Sequence, residues 1–185
     1  MDCCSTKVLY FPGMGKDMSV LTYFRQSLCR YGYEIVVFPF EYDNGEDPFR
    51  PNSEYLEWLD NHYFVWWIGI SLGASFSYVL ASKSIDIAKP HRLTLINPFC
   101  SREVLAKERD FSLANQWDFS PIKWSVSLYR IDFVLSLYDE KIPMYHGLRL
   151  YCKSNAEIKE LKIVKDNHII HIKENQEKLV EYLLK

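Results

Sequence analysis

No stretch of the 185-residue chain stays apolar for long enough to cross a bilayer as a helix, so stable membrane insertion is not expected. The N-terminus, Met1-Asp-Cys-Cys-Ser, lacks the basic and apolar parts of a secretory signal. Cysteine is sparse and unpatterned. Cys3, Cys4, Cys29, Cys100 and Cys152 make neither a disulfide framework nor a zinc-ligand spacing. Reduced thiols in a cytoplasmic protein are the expectation, with no metal and no cofactor. An excess of one charge is missing too. The formal net charge is −2 with both signs interspersed, which argues against nucleic acid as a main partner. Internal repeats and low-complexity linkers are absent. The acidic stretch Glu41-Tyr-Asp-Asn-Gly-Glu-Asp-Pro48 lacks EF-hand ligand spacing and reads as a solvated loop. What is present is a chain 48% hydrophobic and 16% aromatic, enough to build a core in a single domain over residues 1–185.

The most informative stretch is Phe64-Val-Trp-Trp-Ile-Gly69-Ile-Ser71-Leu-Gly73-Ala-Ser-Phe76. Its first part is an unbroken apolar run, the mark of a strand buried on both faces of a parallel sheet. It ends in Gly-x-Ser-x-Gly. Phe76, Val79, Leu80 and Ile87 then recur at helical spacing, with Lys83 and Lys89 outside that stripe. Strand, Gly-x-Ser-x-Gly, helix is the pattern of a nucleophile elbow. A side chain at Gly69 or Gly73 is expected to collide across so sharp a turn. The pentapeptide alone also fits a serine that merely caps the following helix.

The remaining elements alternate. Lys7–Phe11 reads as a strand, then a helix capped by Asp17 and running to about Arg30, with Val20, Leu21, Phe24 and Leu28 on one face. Strands follow at Tyr33–Phe38, at the elbow, at Arg92–Asn97, at Arg130–Tyr138 and at Leu161–Lys165. Ser53–Leu59, Pro143 to about Asn155 and the C-terminal segment bearing Leu179, Val180, Leu183 and Leu184 read as helices. Residues 98–129 show no clear strand. They carry the helical pattern Glu103–Arg109 and then Trp117, Phe119 and Trp124, as a packed connector or a lid over the substrate does.

In a doubly wound sheet the functional edge lies at the carboxyl ends of the strands. Ser71, Asp139 and His168 each follow such an end, in the chain order Ser, Asp, His. A serine hydroxyl needs a base to become a nucleophile at neutral pH. A histidine can take its proton and return it to a leaving group. A carboxylate on the other ring nitrogen holds the required tautomer. His171 is a rival three residues on, within Ile169-Ile-His-Ile172. Asp166 and Asp132 are rival acids, but Asp166 is too constrained beside the histidine to face its ring and Asp132 lies inside a strand, so Asp139 is the expected acid.

Over nearly its whole length the chain resembles a compact member of the α/β-hydrolase superfamily. Ser136-Leu-Tyr-Asp139-Glu-Lys-Ile-Pro143 is similar to that family's acid segment, and Ser71-Leu-Gly73 to the elbow of lidded esterases and thioesterases such as pimeloyl-carrier-protein methyl esterase. Phe11-Pro12-Gly13-Met14-Gly15 stands at the place of the oxyanion segment and is similar to the opening of type II thioesterases. The resemblance implies six mainly parallel strands in the order 2-1-3-4-5-6, with helices on both faces. It implies catalytic Ser71, Asp139 and His168, with Met14 and Leu72 as backbone donors to the oxyanion. Gly13, Trp117, Phe119 and Trp124 are the expected substrate contacts. Pro12 stands where many members have histidine, and Asp166-Asn167 where glycine often precedes the histidine.

The expected activity is hydrolysis of a carboxylic ester or thioester through an acyl-enzyme on Ser71. The short 98–129 segment suggests an open site suited to a long acyl chain or one linked to coenzyme A or a carrier protein. An acyltransferase using the same intermediate, and a binding protein that keeps only the fold, are the alternatives.

Overall fold

The computed structural model describes residues 6–13, 19–40, 53–84, 89–100 and 127–185. Six strands, β1 (Thr6–Phe11), β2 (Tyr33–Val37), β3 (Trp66–Ile70), β4 (Arg92–Ile96), β5 (Ser127–Ser136) and β6 (Asn155–Val164), form one sheet. Their order is β2-β1-β3-β4-β5-β6, and every neighbouring pair is parallel. This is the architecture expected from the sequence.

Five described helices cover the two faces: α1 (Ser19–Cys29), α2 (Ser53–Asp60), α3 (Leu72–Lys83), α4 (Tyr145–Lys153) and α5 (Lys173–Leu183). Alternate strand residues go to opposite sides, as the period of two demands. Val8, Tyr10, Trp66, Ile68 and Val134 pack with Leu21, Phe24 and Leu28 of α1 and Leu179, Val180 and Leu183 of α5. Leu9, Phe11, Trp67, Leu95 and Phe133 pack with Leu59 of α2, Phe76 of α3 and Leu150 of α4. Burial on both faces explains why β1 and β3 read as continuous apolar runs. Helix α1 stops where Gly32 takes a φ of 79°, a left-handed conformation that costs glycine little.

The larger differences from the expectation lie in β6, β5, α4 and α3. Strand β6 begins at Asn155 rather than Leu161, because as an edge strand it pairs with β5 alone and carries Glu157, Lys159, Glu160 and Lys162. Those charges hide it from a search for apolar runs, and they also discourage pairing with another chain. Strand β5 lies two to three residues earlier than expected, leaving Leu137 and Tyr138 in the turn before Asp139. Helix α4 starts at Tyr145, so Pro143 lies just ahead of its first turn, its carbonyl accepting from the His146 N–H. Helix α3 is buried from Leu72 through Ala81 rather than along one stripe, because it packs directly behind the two central strands. Its buried hydroxyls are satisfied: Ser75 Oγ donates to Phe99 O at 2.9 Å and Ser77 Oγ to Ala74 O at 2.9 Å. The Asp17 cap, Ile87, the 41–48 loop and Glu103–Arg109 lie outside the described residues.

In the middle of β5 a buried carboxylate holds three elements together. Asp132 is fully buried and accepts from Arg92 Nε, from Arg130 Nε at 2.8 Å and from Thr94 Oγ1 at 3.2 Å. Arg92 also donates to the Leu183 carbonyl at the end of α5 and lies 4.7 Å from the Trp66 ring centroid. Asp132→Ala would strand two partly buried guanidinium groups, so a loss of about 3–5 kcal/mol is expected in urea unfolding. The carboxyl edge of the sheet should be unaffected in the folded fraction, because Asp132 lies four residues before the carboxyl end of β5. A loss below about 1 kcal/mol would remove this role.

Candidate active site

Ser71 joins the carboxyl end of β3 to the first residue of α3 with φ 55° and ψ −123°. Asn97 is the only other non-glycine residue at positive φ among the described residues. A serine in such a conformation is strained, and it persists only where its surroundings hold it. Here the Ser71 N–H donates to Ile96 O at 2.8 Å, while its carbonyl accepts from Ala74 and Ser75. The flanking glycines make the turn possible. A Cβ on Gly69 would lie 2.6 Å from Ala74 Cα, and one on Gly73 would lie 2.3 Å from the carbonyl oxygens of Phe11 and Pro12. The Ser71 hydroxyl makes no capping bond to α3. Its Oγ lies 2.9 Å from His168 Nε2.

The acid is presented by a turn after β5. One oxygen of Asp139, Oδ1, accepts from the backbone N–H groups of Lys141 at 2.8 Å and Ile142 at 2.7 Å. That self-satisfied turn leaves Oδ2 to accept from His168 Nδ1 at 2.7 Å. A carboxylate can only accept, so the ring proton sits on Nδ1 and Nε2 is free to receive the serine proton. The Asp139 side chain is 1% exposed and that of His168 11%, so both groups are largely shielded from water.

The histidine loop, residues 165–172, is tied down by Asp166 and not by contact with the ring. Asp166 is buried and accepts from the N–H groups of Asn167 and Ile172 and from Asn175 Nδ2. Burial pushes its pKa up, but these hydrogen bonds outweigh it, and the carboxyl sits below its ordinary value. The Asp166 carbonyl receives the Tyr138 N–H at 3.0 Å, joining the acid turn to the histidine loop. His171 is exposed. Together with Glu140, Lys141, Asn167, His168 and Ile169 it lines a hollow of about 120 Å³ beside the His168 ring.

Leu72 opens α3, so its N–H is among the amides with no partner inside the helix. Gly13 lies against the serine, where a Cβ would come 3.2 Å from Ser71 Cβ. Met14, Trp117, Phe119 and Trp124 lie outside the described residues. Among the described residues no group of three or more metal-ligating side chains occurs, and no helix is long and apolar enough to cross a membrane.

No family model and no curated protein matches the sequence. Solved structures do match. Alpha/beta hydrolase domain-containing protein 10 from mouse is similar with a TM-score of 0.75 at 12% identity, over 96% of this chain and 87% of that one. The esterase domain of a Rhodothermus marinus protein gives 0.72 at 13% identity, over 96% and 84%. A structure from the work on LipS and LipT, two metagenome-derived lipolytic enzymes, gives 0.71 at 14% identity, over 97% and 92%. The fold is that of the α/β-hydrolases. In this α/β-hydrolase frame Ser71, Asp139 and His168 stand at the carboxyl ends of β3, β5 and β6, in the chain order the fold uses.

The structure adds residues that the sequence reading did not single out. Asn97 and Ser136 form a buried hydrogen-bonded pair at the ends of β4 and β5. His146 is fully buried in α4, where its Nδ1 accepts from the Cys100 N–H at 3.3 Å. Burial, with a smaller contribution from the Arg149 charge, pushes its pKa down to about 4, so the ring is neutral near pH 7. Burial likewise pushes the Cys100 thiol up, with Arg149 and Lys153 partly opposing it, so this pair is not a thiolate nucleophile at neutral pH. A histidine on a helix with no nearby motif carries no sequence signal that would reveal either burial or partner.

His146 makes stability pH-dependent. The unfolded ring takes a proton near its ordinary pKa of about 6.5, while the folded ring resists until about 4. Its contribution is therefore complete above the unfolded pKa and lost as the pH falls between these values, by roughly 2–3 kcal/mol. Urea unfolding at pH 7 and pH 4.5 should show a smaller difference in His146→Asn than in the wild type. Equal differences in the two proteins would remove His146 as the cause.

Proposed function

We propose that the protein is a serine hydrolase that cleaves a carboxylic ester or thioester of an acyl substrate through an acyl-enzyme on Ser71. The observation that carries this reading is the continuous hydrogen-bonded line from Asp139 Oδ2 through both nitrogens of His168 to Ser71 Oγ. In the proposed reaction Ser71 Oγ attacks the acyl carbonyl carbon as its proton passes to His168 Nε2. The developing oxyanion takes hydrogen bonds from the Leu72 N–H and the Met14 N–H. The tetrahedral species expels the alcohol or thiol, which leaves with the His168 proton. Water, deprotonated by the same nitrogen, then releases the acid and restores the serine.

The likeness to esterases and lipolytic enzymes supports this reading through the fold. The substrate proposed is an acyl ester or thioester, including one carried on coenzyme A or a carrier protein. That part rests on the shortness of the 98–129 segment. A cytoplasmic setting accompanies it, on the unpaired thiols Cys29, Cys100 and Cys152.

A fluorophosphonate probe tests the reading. It should label the native protein at Ser71 and fail to label Ser71→Ala. An unlabelled but folded wild type would overturn the assignment. Turnover of p-nitrophenyl and coenzyme A esters of increasing chain length then identifies the acyl group and separates ester from thioester.

A further inference from the structure

We propose that Asn97 is a positioning residue that sets the histidine loop and the acid turn relative to Ser71, an inference that rests on the serine-hydrolase reading. Asn97 immediately follows β4, next to the strand that delivers the serine. It is 3% exposed and holds a φ of 49°. The two strained non-glycine residues described in this protein, Ser71 and Asn97, thus sit at the carboxyl ends of adjacent strands. Strain of this kind persists only where surrounding contacts over-determine the conformation. Asparagine accepts the left-handed region better than most residues, but the proline that follows it, Pro98, makes an ordinary extended conformation the local preference. The structure overrides that preference, and the side-chain contacts show what it gains.

The Asn97 amide makes three short contacts. Nδ2 donates to the His168 carbonyl at 2.7 Å and to Ser136 Oγ at 2.9 Å, and Oδ1 accepts from the Ser136 N–H at 2.7 Å. The two backbone partners settle which way the amide faces, since a carbonyl can only accept and an N–H can only donate. Ser136 is the last residue of β5, three positions before Asp139. The contact on the His168 side goes to the backbone of the histidine itself. The residue before Asn97, Ile96, accepts the Ser71 N–H. One buried side chain and its neighbour therefore connect the segments that carry all three groups of the relay. Asn97 touches no reacting atom, and its effect passes through the position of His168 and Asp139.

Asn97→Asp is the discriminating variant. It keeps the size and the acceptor for the Ser136 N–H, but sets a carboxylate oxygen against the His168 carbonyl in place of a donor. The rate of fluorophosphonate labelling at Ser71 and the kcat on a p-nitrophenyl ester should each fall by about 10- to 100-fold, with KM within about twofold, as displacement of a catalytic group by a fraction of an ångström does. The downfield proton resonance of the His168–Asp139 bond, read without any substrate, should shift or broaden. Leu28→Ala, a core truncation in α1 far from the site, supplies a destabilised control whose labelling rate and resonance should not change. Asn97→Gly, which relieves the backbone strain while removing the amide, should behave like Asn97→Asp and takes its place if the charged variant does not fold. A folded Asn97 variant with wild-type labelling and an unmoved resonance would overturn the proposal. A changed resonance in a protein whose wild type is never labelled would instead overturn the serine-hydrolase reading and leave the positioning role standing.

Discussion

His168→Ala is expected to lower kcat by about 10³- to 10⁶-fold, while His171→Ala leaves it within about twofold. The first change removes the proposed base 2.9 Å from Ser71 Oγ and leaves a hydroxyl that is a poor nucleophile at neutral pH. It also frees Asp139 Oδ2, which then faces the space the ring vacates. Folding should survive, because the loop is held by Asp166 and by the His168 backbone carbonyl rather than by the ring. His171 is solvent-exposed, and neither Asp139 nor Ser71 bonds to it, so its loss leaves the relay intact. Steady-state kinetics on a p-nitrophenyl ester, with circular dichroism as a check on folding, decides between the two. The opposite ranking in two folded variants would transfer the role of base to His171.

Asp139→Asn is expected to reduce kcat by up to about 10⁴-fold with little change in KM. The turn geometry dictates how. Two backbone donors, from Lys141 and Ile142, point at the oxygen that faces away from the ring. In the variant the amide oxygen must take that place, because an NH₂ group cannot accept from them. The NH₂ then faces His168 Nδ1 and turns it into an acceptor. The ring proton moves to Nε2, where it confronts the serine as a donor, and the base is lost through its tautomer while the structure is kept. Asp166→Asn acts on the loop and not on the ring, so its effect on kcat should be far smaller, with the larger cost in stability. A near-normal rate for Asp139→Asn, with Asp166→Asn strongly impaired, would show that Asp166 orients the base.

Much of this site is legible from the chain because its chemistry is local or ordered along the sequence. The proposed nucleophile is marked by a strand, two glycines and the start of a helix, and the steric reason for each glycine is a contact across that one turn. The sheet order follows from alternating strand and helix patterns and from the handedness of parallel crossovers. The strand most poorly delimited was β6, whose edge position allows charges that a buried strand excludes.

The sequence by itself determined a parallel α/β sheet with serine, aspartate and histidine at its carboxyl edge, because burial on both faces writes apolar runs into the central strands. Strand-end position already favours Asp139 as the partner of the ring, and only the tertiary structure shows what the other two carboxylates do instead. Asp139, Asp166 and Asp132 are the same residue type within 35 positions, and their backbone surroundings separate them. Asp139 spends one oxygen on its own turn and keeps the other for His168, Asp166 gives both to the loop, and Asp132 is locked between arginines. The contacts of Asn97 are likewise set in three dimensions, since its partners lie 39 and 71 residues away and no local pattern records them.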